Sequence, residues 1–290
     1  MSKLLRGDFV RLFKSKIFWL GVIVMFGVAV MMVYGVWSNK QELLQAFPDS
    51  DPEVPPDRTL LEGVMIYVGI IVSVIVGIFV GADYRCGTIR NKHVMGHSRA
   101  TMYFSNLIIC FTAALIMHIT YIAVIVGASA VGITDEFWMS AEDILVNTLV
   151  SACSVLAMTS VILLLCMLVS SRTASTVIAI ILSIVSILAA QRVHGMLYDD
   201  LFVQVIEPDG TTSYEKACPD DDPSTKRKIL RFVFDYFPEN QLYQLQNGMP
   251  GQTSDGPLEP NKKVFPLYSL SLIAISTTAG VLVFRKKDLK

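Results

Sequence analysis

The chain has 290 residues, of which 53% are hydrophobic and only 17% are charged, and its net charge is −1. About a quarter of the residues in an ordinary soluble domain are charged, so this composition excludes that class and indicates a protein that lies largely within a bilayer. We therefore expect membrane lipid, and no nucleic acid, around the chain.

The first 16 residues predict a short helix that lies along a membrane surface. Apolar and basic side chains alternate there with a helical period, and anionic lipid attracts such a helix to the cytoplasmic face of a membrane. The apolar side comprises Leu4, Leu5, Phe9, Leu12 and Phe13, and the mostly opposite basic side comprises Lys3, Arg6, Arg11 and Lys14. The apolar run that follows is too long for a secretory signal, so we interpret it as a first transmembrane helix.

Apolar runs that are long enough to cross a bilayer occur six times in the sequence. A helix rises about 1.5 Å per residue, so about 20 residues cross a hydrocarbon core of roughly 30 Å. We therefore predict an all-α membrane protein. Its six transmembrane helices are expected at approximately residues 17–37, 60–82, 102–133, 144–170, 174–192 and 264–284.

Local patterns mark the starts of three of these helices. Thr59 and Ser140 are each followed three residues later by an acid, which is the capping-box pattern of a helix start. Pro266 suits the first turn of the last helix. In the second helix Gly77 and Gly81 form a small-xxx-small pair, which predicts close packing against another helix.

The segment 83–101 is a short basic connector between the second and third apolar runs. Short basic loops remain in the cytoplasm, and Gly87 and Gly96 suit the two ends of a short helix. The order Gly87-Thr-Ile-Arg-Asn-Lys92, then Gly96 and Ser98-Arg99, resembles the connector between the second and third membrane helices of ABC-2 type transporter permeases. The residues also leave open a solvated loop that its charge holds inside.

The resemblance implies that the connector contains a cytoplasmic coupling helix against which an ATP-binding subunit pushes. The ATPase-coupling residues would be Arg85, Thr88, Arg90, Asn91, Lys92, Ser98 and Arg99. It also implies that residues 1–16 are an elbow helix beside the ATPase, with Leu5, Phe9, Arg11 and Phe13 as its principal residues. Residues 1–290 would then be one membrane domain that assembles with two ATPase chains and a second permease chain, expected as a homodimer. The path between the permeases would be lined by helices 1, 2 and 5.

The distribution of charge predicts the orientation of the chain. Residues 1–16, 83–101, 171–173 and 285–290 together carry 14 of the 24 Lys and Arg residues but only three acids. Because basic residues in short loops stay inside, we expect both termini in the cytoplasm.

Residues 193–263 would then form a region outside the membrane, between the fifth and sixth helices. A hairpin is predicted from Leu201 to Lys216 with a turn at 208–210, and helices are predicted at 224–234 and 238–246. The apolar side chains between Ile229 and Phe237 are expected to pack on or re-enter the outer membrane face, as the resembled family implies. Only Cys218 would face an oxidising exterior, so we expect no disulfide within the chain.

The sequence lacks the G-x-x-x-x-G-K-[ST] phosphate loop, so ATP and Mg are expected in a separate subunit and no cofactor in this chain. No catalytic or metal site is predicted either. The predicted spans hold almost no ionisable side chains, which favours an externally driven transporter over an ion-coupled one. His118, the one imidazole near mid-membrane, is interpreted as a hydrogen-bonding group between helices.

Together these patterns predict a permease subunit in the bacterial cytoplasmic membrane. The leading hypothesis is ATP-driven export of amphipathic or antimicrobial peptides, because the resembled permeases include exporters of bacteriocins, lantibiotics and phenol-soluble modulins. Two alternatives remain open at this point. One is an exporter of a drug, a lipid or sodium, and the other is a membrane scaffold or sensor that transports nothing.

Overall fold

The described residues form a bundle of long helices with two small hairpins between the last two long helices. The computed structural model describes residues 2–49, 52–169, 171–199, 202–206, 212–216, 225–247, 249–253, 256–258 and 260–286. The helices are α1 Ser2–Lys14, α2 Lys16–Ala46, α3 Asp57–Gly63, α4 Gly69–Arg85, α5 Thr88–Val94, α6 Arg99–Ala130, α7 Ala141–Leu168, α8 Arg172–Asp199, α9 Thr225–Tyr236, α10 Pro238–Asn247 and α11 Phe265–Lys286. A π-helical segment, Val64–Val68, joins α3 to α4.

Among the described residues, five helices are each long and apolar enough to cross a membrane: α2, α6, α7, α8 and α11. α4 reaches this length only together with α5, which is bent from it by 60°. The chain also continues α4 in the other direction, because the backbone at Gly63 (φ −69°, ψ −28°) and Gly69 (φ −58°, ψ −46°) stays helical through the π segment. Residues 57–85 therefore form one continuous helix. Counting α4 and α5 as one bent span brings the candidate spans of the described residues to six, and the all-α membrane fold is confirmed.

The helix starts differ in how well the capping pattern predicted them. Ser140 caps α7 as expected, because its hydroxyl accepts a hydrogen bond from the Asp143 backbone N–H at 3.1 Å. The prediction at Thr59 is wrong, since α3 already begins at Asp57 and Thr59 lies inside it. The Asp57 carboxylate instead accepts hydrogen bonds from the backbone N–H groups of Trp138 and Met139, at 3.1 and 2.8 Å, in the loop before α7.

The core of the bundle forms where α4 packs on α8, α7 on α11 and α2 on α6. α4 and α8 approach closely at Gly77, where a Cβ atom would lie 2.7 Å from the Cα atom of Thr176. Gly81 is buried one turn further along α4. Between the same helices the hydroxyls of Ser73 and Ser183 share a hydrogen bond of 2.6 Å. Small residues thus allow these two spans to meet at backbone distance.

The region before α11 contains the predicted hairpin, in which β1 (Phe202–Ile206) pairs antiparallel with β2 (Thr212–Lys216). Helices α9 and α10 agree with the predicted helices, and a second hairpin, β3 (Met249–Thr253) with β4 (Gly256–Leu258), was not predicted. The predicted turn at 208–210 and Cys218 lie outside the described residues.

Candidate functional site

The basic connector folds as a short helix between two turns, as the two glycines predicted. α4 ends at Arg85, and Gly87 adopts φ +65°, a left-handed conformation that favours glycine. α5 follows, and Gly96 at φ +85° ends the turn after it. Because these turns redirect the chain, α5 leaves the line of the second span by 60°.

α5 has an inner and an outer face. Ile89 and Lys92, three residues apart, are buried at 3% and 5% exposure. Arg90, Asn91 and His93 are exposed. The outer face ends in two strongly exposed apolar side chains, Val94 at the last position of α5, 80% exposed, and Met95 directly after it, 69% exposed. Cationic, polar and apolar groups therefore share one surface on the tip of the connector. We call residues 90, 91, 93, 94 and 95 the connector surface.

Lys92 does not belong to this surface, contrary to the prediction that it is available to a soluble partner. Its ammonium donates to the two carboxylate oxygens of Asp8 at 2.8 and 3.1 Å and lies 3.4 Å from Oδ2 of Asp83. Ser105 on α6 completes the site by donating to Asp8 at 2.7 Å. Burial lowers the pKa of Lys92 below its ordinary value, and the hydrogen bond to Asp8 opposes that shift.

Arg11 lies on the other side of Asp83. Its guanidinium donates to both carboxylate oxygens of Asp83 and stands 3.7 Å from the centre of the Phe79 ring, a cation–π geometry. Burial lowers the pKa of Arg11, while the nearby Asp8 carboxylate opposes the shift. The sequence placed Arg11 on the basic side of α1, mostly opposite the apolar side, and in the structure this side chain is 32% exposed and pairs with an acid of α4.

Asp8, Arg11, Asp83 and Lys92 thus form a buried charge cluster in which two acids balance two bases. The cluster joins α1, α4 and α5, and Ser105 adds α6. A buried ion pair resists the removal of one partner, because the remaining charge is left without compensation. The connector is therefore fixed to the elbow helix and to the second span through charges, in addition to apolar packing.

The remaining predicted coupling residues differ in their surroundings. Arg85 and Ser98 are exposed and Thr88 is half-buried. Ser98 caps α6, because its hydroxyl accepts from the backbone N–H of Thr101 at 3.2 Å. Arg99 donates to the backbone carbonyls of Phe284 and Arg285 at 3.3 and 2.7 Å, so it ties the start of α6 to the end of α11.

The elbow helix α1 presents two faces beside the cluster. Leu4 and Leu12 are buried with Asp8, while Leu5 and Phe9 are half-buried. Phe13 is 43% exposed, and its ring stacks on Phe9 with the centroids 6.2 Å apart. This partly exposed aromatic face suits the interface of a bilayer.

The sequence reading missed Asp8 and Asp83, which it counted only as two acids in basic segments. A signal for Asp8 was present, since it lies midway between Leu4 and Leu12 on one helical face. For Asp83 the sequence offers no comparable signal. Within the spans, His118 is hydrogen-bonded between α6 and α7 as interpreted, with Nε2 at 3.3 Å from the Thr148 carbonyl oxygen and 3.4 Å from the Ser151 hydroxyl.

The described residues contain no group of three or more His, Cys, Asp and Glu side chains that would hold a metal ion. A family model described as ABC-2 family transporter protein matches residues 4–186. The chain belongs to the ABC-2 transporter family. The match contains the elbow helix, the connector and the whole buried charge cluster, so this site lies within the family domain. No curated protein sequence is significantly similar to the chain.

An ABC-2 permease is the membrane subunit of an ABC transporter and is not itself the catalyst of ATP hydrolysis. The six spans of this chain agree with that role. The matched residues end within α8, so the outer region and α11 lie beyond the family match.

Proposed function

We propose that this permease exports amphipathic or antimicrobial peptides across the bacterial cytoplasmic membrane, driven by a separate ABC ATPase that docks on the connector surface. Two ATPase chains and a homodimer of permeases form the working transporter, and both termini lie in the cytoplasm. One observation carries the docking proposal: α5 turns an exposed face of mixed charge and apolar character outward while Lys92 anchors its other face.

The buried charge cluster explains how such docking moves the spans. A partner that pushes on residues 90–95 displaces α5, and the ion pairs of Lys92 oblige α1 and the end of α4 to follow. Since residues 57–85 form one continuous helix, the displacement reaches the outer half of the second span.

The cargo proposal rests on the character of the spans. The helix surfaces inside the bundle carry Ser and Thr hydroxyls, of which Ser151, Ser154 and Ser160 on α7 are buried examples. Transport of a small ion ordinarily uses charged groups at mid-membrane, whereas mild polarity beside apolar surface suits an amphipathic peptide.

Docking is tested by reversing one charge of the connector surface. The tagged permease is co-expressed with an ABC ATP-binding subunit, and Arg90→Glu is compared with Lys263→Glu, an exposed cation before α11. We expect Arg90→Glu to abolish co-purification of the ATPase, or to leave it bound with hydrolysis no longer stimulated by peptide. Lys263→Glu should behave as the unmodified protein does. Equal co-purification and equal stimulation in both variants would contradict the docking site.

The cargo is tested separately with the intact pair. Phenol-soluble modulins and a lantibiotic should stimulate ATP hydrolysis and accumulate in inverted vesicles. Stimulation by a lipid or a drug alone would replace the peptide as cargo, while a stable complex without any flux would identify a scaffold or sensor.

A further inference from the structure

α10 is a polar helix that is buried in the outer end of the bundle. Glu239, Asn240, Gln241 and Gln244 are each at most 4% exposed. α10 packs on α3, the π-helical segment, α7, α8 and α9. The sequence reading expected apolar side chains of this region to enter the membrane face, and it did not anticipate that the polar helix is the buried one.

The amide groups of Asn240, Gln241 and Gln244 each donate a hydrogen bond, although Oε1 of Gln244 accepts none among the described residues. Asn240 donates to the Val233 carbonyl at 3.0 Å, and Gln244 donates to the Phe234 carbonyl at 2.8 Å. The amide oxygen of Gln241 accepts from Ser154 on α7 and from Ser269 on α11, at 2.8 and 2.9 Å. These bonds hold α10 in place between the spans.

The carboxyl group of Glu239 lacks such a partner. Among the described residues nothing hydrogen-bonds to its buried Oε2 atom. The group borders a small cavity whose other walls are mostly apolar, formed by Val64, Val72, Val155, Met158 and Ile162. Thr159 also lines the cavity, but its hydroxyl donates to the Val155 carbonyl at 2.7 Å. An ionised carboxylate would therefore be buried without a donor, which is costly, whereas a neutral carboxylic acid is tolerated.

We propose that Glu239 is a proton-binding site whose proton holds the outer end of the permease closed. The meaning of opening, which is the release of cargo outside the cell, rests on the proposed function. Proton binding itself is a property of this chain alone.

Charged neighbours do not account for the site. Among described residues, the titratable or charged groups on α3, the π-helical segment, α7, α8 and α9 are Asp57, Arg58, Glu62, Tyr67, Glu142, Asp143, Cys153, Cys166, Arg192, His194, Lys228, Arg231, Asp235 and Tyr236. α11, which bonds to Gln241 through Ser269, adds Tyr268, Arg285 and Lys286, and α10 itself adds Tyr243. None of these groups lines the cavity. Burial alone raises the pKa of Glu239, to about 8, so the closed protein holds the proton at pH 7.

The sign of the pH dependence follows from this difference. When the outer end opens, water reaches the carboxyl group and its pKa returns toward the ordinary value of 4.5, so opening releases a proton. Between about pH 4.5 and about pH 8, each pH unit then shifts the ratio of open to closed protein about tenfold toward open. Acid outside the cell keeps the permease closed.

The position of Glu239 places its carboxyl group in contact with the second span. Oε1 of Glu239 lies 3.3 Å from the position that a Cβ atom on Gly69 would occupy. Gly69 is the first residue after the π-helical segment, and π-helical turns interrupt the regular hydrogen bonding of a helix and often mark functional sites. The same helix continues to Arg85 and the turn into α5, so the proton site lies near the middle of the 57–85 helix and the connector surface lies beyond its end.

Infrared spectroscopy of the purified permease, without ATPase or cargo, tests proton binding. The difference spectrum between the unmodified protein and Glu239→Gln should show the C=O band of a protonated carboxylic acid at pH 6, and this band should disappear around pH 8. Glu136→Gln, an exposed acid of the loop between α6 and α7, should leave the band unchanged. Glu239→Met gives the same comparison if the Gln variant does not fold. No carboxylic acid band assignable to Glu239 would overturn the proposal.

A second measurement tests closure. Val155→Cys places a thiol in the cavity wall, and a water-soluble maleimide modifies this thiol. The modification rate is measured in two proteins, one that keeps Glu239 and one that also carries Glu239→Gln. The modification rate with Glu239 is divided by the rate with Glu239→Gln, so that the titration of the thiol itself cancels. This ratio should rise about tenfold per pH unit between pH 6 and pH 8. A ratio independent of pH would overturn the gate. Because neither assay contains an ATPase or a peptide, their failure is distinct from failure of the export proposal.

Discussion

At the scale of single residues, the buried charge cluster is the feature that gives the connector its position. Asp8 and Asp83 share Lys92, and Asp83 also receives Arg11. The two acids and two bases compensate each other only while the three helices that carry them stay together. We propose that this link transmits movement of α5 to α1 and α4.

Removing the Lys92 ammonium should therefore destabilise the protein. Lys92→Met leaves Asp8 buried without its cation and should lower the free energy of unfolding by about 3–5 kcal/mol. Thermal unfolding in detergent measures the loss, with Arg90→Met on the exposed face of α5 as the matched control. Asp8→Asn combined with Lys92→Met should recover part of the loss, since no unpaired carboxylate remains. If Lys92→Met were as stable as Arg90→Met, the cluster would not contribute to the free energy of unfolding.

The sequence indicated the location of this site but not the direction of its side chains. The basic connector and its two glycines were sufficient to predict α5. A helix of seven residues has too few turns for an apolar stripe to define its buried side, so Lys92 and Arg90 were equivalent in the sequence. Their difference arises from Asp8, which is 84 residues from Lys92 in the chain and adjacent to it only in the fold.

At the scale of elements, the second span is the helix that leads directly into α5. It runs from Asp57 through the π-helical segment to Arg85 and then turns by 60° into α5. α8 lies along it, with Thr176 against Gly77. Movement of the connector should thus shift α4 against α8, or move both together.

The close contact at Gly77 gives a prediction for helix packing. Gly77→Ala places a Cβ atom 2.7 Å from the Thr176 backbone, so the helices must separate, at a cost of about 1–3 kcal/mol. Gly27→Ala on α2 is the control, because nothing lies within 4 Å of its Cβ position. Thermal unfolding in detergent should distinguish the two variants. Equal stability would mean that α4 and α8 are not held at backbone distance.

The presence of each long helix was predictable from the length of its apolar run. The residue at which a helix starts depended on whether other side chains and loops bond to the same region. Ser140 has no competitor and caps α7. At Thr59 the same pattern failed because the helix starts two residues earlier, at Asp57, whose carboxylate bonds to a distant loop. The insertion of polar α10 was unpredictable for a related reason, since its partners Ser154 and Ser269 lie on two separate spans.

At the scale of the whole molecule, the proposed mechanism places the connector and residues 193–263 on opposite sides of the membrane. Basic residues concentrate around α1, α5 and the end of α11, and Arg99 ties the start of α6 to the end of α11. Glu239 and its cavity lie beside Gly69, near the middle of the 57–85 helix. We propose that energy enters where α5 follows this helix and that the release of cargo is regulated beside Gly69.

Cys86 offers a direct measurement of this orientation, because its thiol is free and exposed beside α5. A membrane-impermeant maleimide should label the permease in inverted vesicles and fail to label it at this site in intact cells. Cys86→Ser provides the control for labelling at the other cysteines. Labelling of Cys86 from outside the cell would reverse the topology and remove the ATPase docking site.

The central claim is that a separate ATPase drives transport through the connector surface, and ATP-driven peptide uptake into inverted vesicles tests it most directly. Vesicles that contain the permease with its ATPase should accumulate peptide when ATP is added, and those with Arg90→Glu should not. A proton or sodium gradient without ATP should give no uptake. Accumulation by the permease alone on such a gradient would contradict the account.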